Sequence, residues 1–394
     1  MLHVPLRLSL GERVLQLDLR RWINDGLMAI FFFAVGLEVK REFLVGELAD
    51  ARKAMLPIAA AMGGMLVPAL CYAAFNAGGE GAHGWGIPMA TDIAFALGAL
   101  AVLGSRIPEG LKIFLVALAI VDDLGALLVI AVVYTASINW SGLALATLFV
   151  AALLVANRAG ARGATIYFAL GMGAWYGLLL SGVHATLAGV LAALFVPARV
   201  TIVPDALAGV IRRSADAIDV HAANGVRGAM EPERFATISA LSRTLDAANS
   251  PIQRFEHMVH PWVAFGIVPV FALFNAGVAI DASAIRTFAF PVPLGIMAGL
   301  VLGKPAGIFL ASWLAVKAGL ATLPEGVSWR HVCGTAWLAG IGFTMALFIS
   351  GLAFPGTGLE SQAKLSILLG SLMSAVVGIA ILLTTRRDVE ALPE

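Results

Sequence analysis

Along the 394 residues, long apolar runs alternate with short polar connectors. A helix needs roughly 20 mostly apolar residues to cross the hydrocarbon of a bilayer. Eleven stretches meet or approach that length: 22–39, 54–75, 85–103, 111–134, 140–157, 163–181, 184–197, 258–278, 292–316, 330–353 and 365–384. They predict an all-α polytopic membrane bundle, and the Gly and Ala within them allow close helix approach in lipid, where no hydrophobic drive acts between helices. Ahead of the first run, Leu6, Leu8 and Leu10 alternate with polar residues, Gly11 and Glu12 make a turn, and Leu15, Leu17 and Leu19 alternate again. That pattern predicts a short β-hairpin over 1–21, and two strands alone are marginally stable, so a partner is expected.

The one sizeable polar region, 198–256, mixes Arg212, Arg213, Asp216, Asp219, Arg227, Glu231 and Arg234 with Gly, Ala and Pro. It reads as a cytoplasmic loop carrying short amphipathic helices, and it holds no catalytic or nucleotide-binding motif. It divides the chain into a first helix group, 22–197, and a second, 257–385, with a cytoplasmic tail at 386–394. Composition agrees: 60% hydrophobic, 13% charged and a mean hydropathy of +0.90 leave too little polar surface for a soluble domain. A net charge of +1 with no basic cluster excludes a nucleic-acid partner and leaves membrane lipid as the surroundings. Cys71 and Cys333 stand far apart in apolar runs and suggest neither a disulfide nor a metal site. The first residues lack the features of a cleaved signal peptide, so insertion is expected to come from the helices.

Short loops rich in Lys and Arg mark the cytoplasmic side. Lys40, Arg41, Arg52, Lys53, Arg106, Lys112, Arg158, Arg162, Lys317, Arg386 and Arg387 share one side, which places the C-terminus in the cytoplasm. Connectors 76–84, 136–139 and 355–362 carry no Lys or Arg and face outward, and the one that follows run 258–278 carries only Arg286. The segment before Trp22 breaks the rule, since Arg7, Arg13, Arg20 and Arg21 fall on the outer side, as if a preceding helix were missing.

Candidate chemistry sits inside the apolar runs. Asp122 and Asp123 occupy the middle of LKIFLVALAIVDDLGALLVIAVVY, where a charge costs a few kcal/mol on insertion scales, roughly 2.5–3.5, and therefore points to a use. Neighbouring helical positions point about 100° apart, so the two carboxylates can reach one cavity in different roles. Hard cations such as Na+ and Li+ take oxygen ligands, and carboxylates crowded together in a low dielectric also hold protons, so both ions compete for the same oxygens. A purely structural reading pairs one aspartate with a lysine of another helix. Lys304, in LGIMAGLVLGKPAGIFLASWLAV, is the partner for Asp122, either as a structural ion pair or as a proton carrier whose bond breaks when sodium binds.

Asp92 follows Pro88 and Thr91 in IPMATDIAFALG, the context of a broken membrane helix whose freed backbone needs polar partners. Its carboxylate is either a ligand or the balance to a buried half-helix N-terminus, which carries about half a unit of positive charge. In WLAGIGFTMALFIS, Gly340, Gly342 and Thr344 suggest a second interrupted helix. Breaks at matching places in two halves mark a midplane binding site. Glu38 and Glu42, with Lys40 and Arg41, end one helix, and Glu256, His257 and His260 begin another. These form either a solvated rim or a pH-sensing mouth, histidine being the side chain that titrates near neutrality. His184 reads as a packing residue.

Seven segments resemble the bacterial Na+/H+ antiporters of the NhaA type: WINDGLMAIFFFAVGLEVKRE, ATDIAFALG, LAIVDDLGA, SGVHATLAGV, EHMVHPWV, LGKPAGI and GIGFTMALFIS. The resemblance runs almost end to end. It implies inverted repeats with two interrupted helices crossing at the midplane of the bacterial inner membrane. It also implies Asp123 as the main sodium ligand, Asp122 paired with Lys304, and Thr91 and Asp92 beside the crossing. Glu38, Glu42, Glu256, His257 and His260 match positions tied to alkaline activation. The family exports Na+ against more than one proton, without a cofactor, and forms homodimers through a periplasmic hairpin that the first twenty residues resemble. The chain departs from the family in starting at that hairpin and in its longer central loop. A sodium-coupled symporter would need a second, larger pocket, and no nucleophile with a partnered base suggests an enzyme. A channel would show a ring of carbonyls or carboxylates.

Overall fold

The computed structural model describes residues 5–10, 13–135, 137–198, 250–277 and 290–385, with positions 209, 212 and 239. The expected amphipathic helices of the central loop, the connector with Arg286 and the tail at 386–394 lie outside the described residues. Strands β1 (Pro5–Leu10) and β2 (Arg13–Asp18) pair antiparallel, with Pro5 opposite Asp18 and Leu10 opposite Arg13. A single turn and a wide π-helical segment, Trp22–Leu27, then lead into helix α1 (Met28–Val45).

The next elements are α2 (Ala51–Asn76), a 3-10 helix (Ala82–Met89), α3 (Ile93–Leu103), α4 (Glu109–Val133), α5 (Trp140–Arg158), α6 (Ala164–Ser181) and α7 (Leu187–Phe195). Beyond the loop, α8 (Pro251–Trp262) continues through a π segment, Val263–Ile267, into α9 (Val268–Asn275). Helix α10 (Pro291–Ala298) does the same through Gly299–Gly303 into α11 (Lys304–Lys317). Helices α12 (Trp329–Ala339), α13 (Phe343–Ala353) and α14 (Gly358–Thr384) complete the bundle.

Among the described residues, nine stretches are long and apolar enough to cross a membrane, or ten if α12 and α13, bent by 43° at their break, count as one. This is a multi-pass membrane protein. The run expected at 184–197 does not form one continuous spanning helix. Gly182, in the left-handed region at φ +82°, ends α6, turns follow to Thr186, and only nine residues of α7 remain. Nine residues rise about 13 Å, under half of the hydrocarbon, yet the segment still joins the two ends of the bundle, since His184 lies at the Tyr134 carbonyl beside connector 136–139 and the Leu194 and Val196 carbonyls accept from Lys40. The run at 85–103 is likewise two pieces, because Ala90 and Asp92 are extended between the 3-10 helix and α3.

Small residues decide which helices touch. A Cβ at Gly63 of α2 would strike the Gly307 carbonyl of α11, and one at Gly307 would strike the Gly63 carbonyl. A Cβ at Gly299 would strike Pro88 of the 3-10 helix, and one at Gly303 would strike Pro68 of α2. The wide turn before Lys304 thus lies against both prolines, and this packing sets the depth of the lysine. Helices α1 and α7 meet in the same way, with Gly189 against the Ala29 carbonyl. The main core gathers Phe31, Phe32, Ile120, Phe271, Leu300 and Phe348 around the middle of α4.

Candidate functional site

Asp122 and Asp123 lie midway along α4 and are 1% and 3% exposed. Nothing in the local sequence favours them there. Apolar side chains on every other face of α4 carry them into the bundle, and the partners come from distant segments. The Lys304 ammonium, fully buried, is 2.7 Å from Asp122 Oδ2 and also donates to the Met89 carbonyl at the end of the 3-10 helix. The structure therefore brings Lys304 and Asp122 together. Oδ1 of each aspartate is buried with no hydrogen-bond partner among the described residues. Unmet buried acceptors are costly, of order 1–3 kcal/mol each and more when charged, so these two oxygens are suited to a proton or a hard cation.

The two interruptions meet beside this pair. The Asp92 N–H donates to the Ile341 carbonyl at 2.6 Å, and Thr91 Oγ1 donates to the Ala339 carbonyl at 3.0 Å. Asp92 is the N-cap of α3, accepting from Phe95 N–H at 3.2 Å on Oδ1. Its Oδ2 accepts from Thr344 N–H at 2.9 Å and Thr344 Oγ1 at 2.5 Å, in the first turn of α13. One carboxylate thus holds the positive starts of two half-helices, the arrangement that a helix dipole favours. Of the two readings of Asp92, its hydrogen bonds match the dipole balance.

Gly340 and Gly342 both keep right-handed backbone. Their value is room. A Cβ at Gly340 would crowd the Leu300 carbonyl and Ser374 Oγ, and one at Gly342 would press on Leu300 and the Ala90 carbonyl. Reading the sequence missed Ser371 of α14, whose hydroxyl accepts from Gly342 N–H at 3.2 Å and Phe343 N–H at 3.1 Å. It caps the start of α13 where the chain supplies no cap of its own. The available signal was the buried serines spaced along the apolar part of α14, Ser366, Ser371 and Ser374, of which Ser371 is one.

Glu38 is half-buried on α1 and lies within electrostatic reach of Asp123 and of Arg41, Glu42 and Glu256. Arg41 joins the latter two, at 3.3 Å to Glu42 and 3.4 Å to Glu256. His257 and His260 are exposed on α8 beyond that cluster. His184 is bound as a packing residue would be, its Nε2 2.9 Å from the Tyr134 carbonyl. A cavity of about 890 Å³ lies elsewhere, between α1, α6, α7, α8 and α9. Its lining includes Trp22, Phe33, Trp175 and Trp262 and no Asp, Glu, His, Lys or Arg, so it is an apolar cavity.

Two buried carboxylates with a buried lysine, set where two broken helices meet inside a multi-pass bundle, define a membrane protein that handles ions within its core. The sequence model of the family described as Na+/H+ antiporter 1 matches residues 1–382, and the chain belongs to that family, whose members are transporters and not enzymes. The Na(+)/H(+) antiporter NhaA of Oleidesulfovibrio alaskensis is 50% identical over 368 residues, 93% of this chain and 82% of its own length. The Na(+)/H(+) antiporter NhaA 1 of Saccharophagus degradans is 49% identical over 383 residues, 96% and 82% of the two chains. The Na(+)/H(+) antiporter NhaA 2 of Sorangium cellulosum is 47% identical over 390 residues, 99% and 83%.

Proposed function

We propose that this protein exchanges Na+, and Li+, for H+ across the bacterial inner membrane, with Asp123 as the principal cation ligand and Asp122 beside it. The observation that carries the reading is the pair of buried, unpartnered Oδ1 atoms on adjacent aspartates. Either a cation or protons can satisfy them, and neither can do so while the other is bound. Lys304 neutralises Asp122 in one state and exchanges that partner when a cation arrives. Thr91, Asp92, Thr344, Gly340 and Gly342 hold the two interrupted helices of an inverted-repeat transporter where they cross. More than one proton enters per Na+ leaving, so exchange is electrogenic, and it serves pH and sodium homeostasis.

Glu38, Glu42, Glu256, His257 and His260 form the cytoplasmic mouth that raises activity at alkaline pH. Its support is the run of charged neighbours from Glu256 and Arg41 through Glu38 to Asp123. The positive-inside rule puts Lys40, Arg41, Arg52 and Lys53 in the cytoplasm, with the C-terminus; α1 then carries the chain across, which leaves the strands β1 and β2 in the periplasm despite their arginines, where they pair subunits as a homodimer. The helix groups 22–197 and 257–385 act on either side of the central loop. The deciding experiment is Na+-, Li+- and K+-driven proton flux in everted vesicles from an antiporter-deficient strain, at mildly acid and alkaline pH. Wild type should collapse the gradient with Na+, most strongly at alkaline pH, and Asp123→Asn should not. An unimpaired Asp123→Asn would show the site assignment to be wrong.

A further inference from the structure

The described helices pack as two groups. Helices α2, α3, α4 and α10 to α14 form one, and α1 with α5 to α9 the other. The seam between them is apolar: Phe32 of α1 and Phe271 of α9 lie on Phe348 of α13, with ring centroids 5.8 Å and 6.1 Å apart. Apolar contacts are not directional, so such a seam can shift without breaking specific bonds.

Among the described residues, one ion pair crosses it. The Arg20 guanidinium, just before the π segment that starts α1, pairs with Glu360 in the first turn of α14, 340 positions away. The other side-chain hydrogen bond between the groups among the described residues, His184 to the Tyr134 carbonyl, sits beside the connector from α4 to α5, where the chain already ties them. At the opposite end of the bundle, Arg41 pairs with Glu42 and Glu256, all within the second group.

We propose that Arg20 and Glu360 form a latch that closes one end of the seam and releases each time the ion site opens toward that end. The proposal rests on the antiport reading, in which access alternates as one helix group moves against the other. Two features suit the pair to repeated opening. Glu360 keeps Lys364 Nζ at 2.9 Å and the Gly356 N–H at 3.1 Å when Arg20 leaves. The Arg20 side chain is 24% exposed and can turn into water. Release therefore strands no buried charge. The bonds inside the first group behave differently, since parting Lys304 from Asp122 or Asp92 from Thr344 leaves buried groups unmet.

The test uses the full chain with Cys71→Ala and Cys333→Ala as parent. Arg20→Cys and Glu360→Cys are added, joined by a short bifunctional methanethiosulfonate linker and released by a thiol. Asn24→Cys with Asn275→Cys is the control, since those side chains meet at 2.9 Å within one group. Na+-driven proton flux in everted vesicles is read before linking, after linking and after reduction. The latch predicts loss of exchange on linking 20 to 360, recovery on reduction, and undiminished exchange in the linked control. Full turnover with 20 and 360 linked overturns the latch alone, as does equal arrest of the control. An unlinked parent with no Na+-driven flux overturns the antiport reading and the latch with it.

A second measurement needs no linker. Gly351→Cys would stand beside the Arg20 guanidinium, its Cβ 3.8 Å away. Adding Arg20→Gln should speed its labelling by a membrane-impermeant maleimide while exchange persists, and an unchanged labelling rate overturns the latch.

Discussion

Replacing Asp92 by Asn tests whether one carboxylate holds two half-helices together. Thr344 presents two donors to Oδ2, so the single oxygen of Asn turns there and its amide faces the Phe95 N–H. Donor then opposes donor in a buried site, a loss of about 1–3 kcal/mol. Removing the negative charge from the starts of α3 and α13 adds about 0.3–1 kcal/mol at each, and more where water is excluded. The sum is roughly 2–5 kcal/mol, a fall in melting temperature of about 2–6 °C for the detergent-purified protein at the entropy scale of a 394-residue chain. The exposed positive ends should also repel the cation and raise the apparent Na+ KM. Asp92→Ala, which frees all three donors, should fall further on both measures. An Asp92→Asn protein that melts with wild type and keeps its Na+ KM would refute the reasoning.

Lys304→Met leaves the Asp122 carboxylate buried without its cation, which costs about 3–5 kcal/mol, and adding Asp122→Asn should recover most of that in a double-mutant cycle of thermal stability. Additive effects would mean the two residues are not coupled. Gly63→Val drives a side chain into the Gly307 carbonyl, so overpacking of about 1–3 kcal/mol and loss of exchange are expected, while Gly98→Ala, with open space around it, should be silent; equal behaviour of the two would contradict the packing account. Exchange should fall on the acid side, because a protonated Asp122–Asp123 pair cannot ligate Na+. The apparent Na+ KM should then rise about tenfold per pH unit while one proton competes, and a KM flat in pH with falling Vmax would exclude competition at one site.

Much of the site was legible in one dimension because lipid makes charge expensive. Asp122, Asp123, Asp92 and Lys304 stand out only because their neighbours are apolar, and no soluble context would have marked them. The breaks at Ala90–Asp92 and Gly340–Gly342 were legible from Pro and Gly. At 184–197 hydropathy counts apolar residues but does not see that Gly182 turns the chain before α7 begins, so that only part of the segment is helical.

The sequence by itself therefore determined that the chain crosses a membrane many times, which helices are broken, and which charges lie inside, since each follows from transfer out of water and depends on local composition. Only the tertiary structure decided the partners. Asp92 bridges to Thr344 across 252 positions, Lys304 reaches Asp122 across 182, Ser371 caps a helix 28 residues before it, and Arg20 meets Glu360 across the seam. Those pairings depend on how glycine-lined helices settle against one another, and close packing between distant segments leaves no periodic mark along the chain.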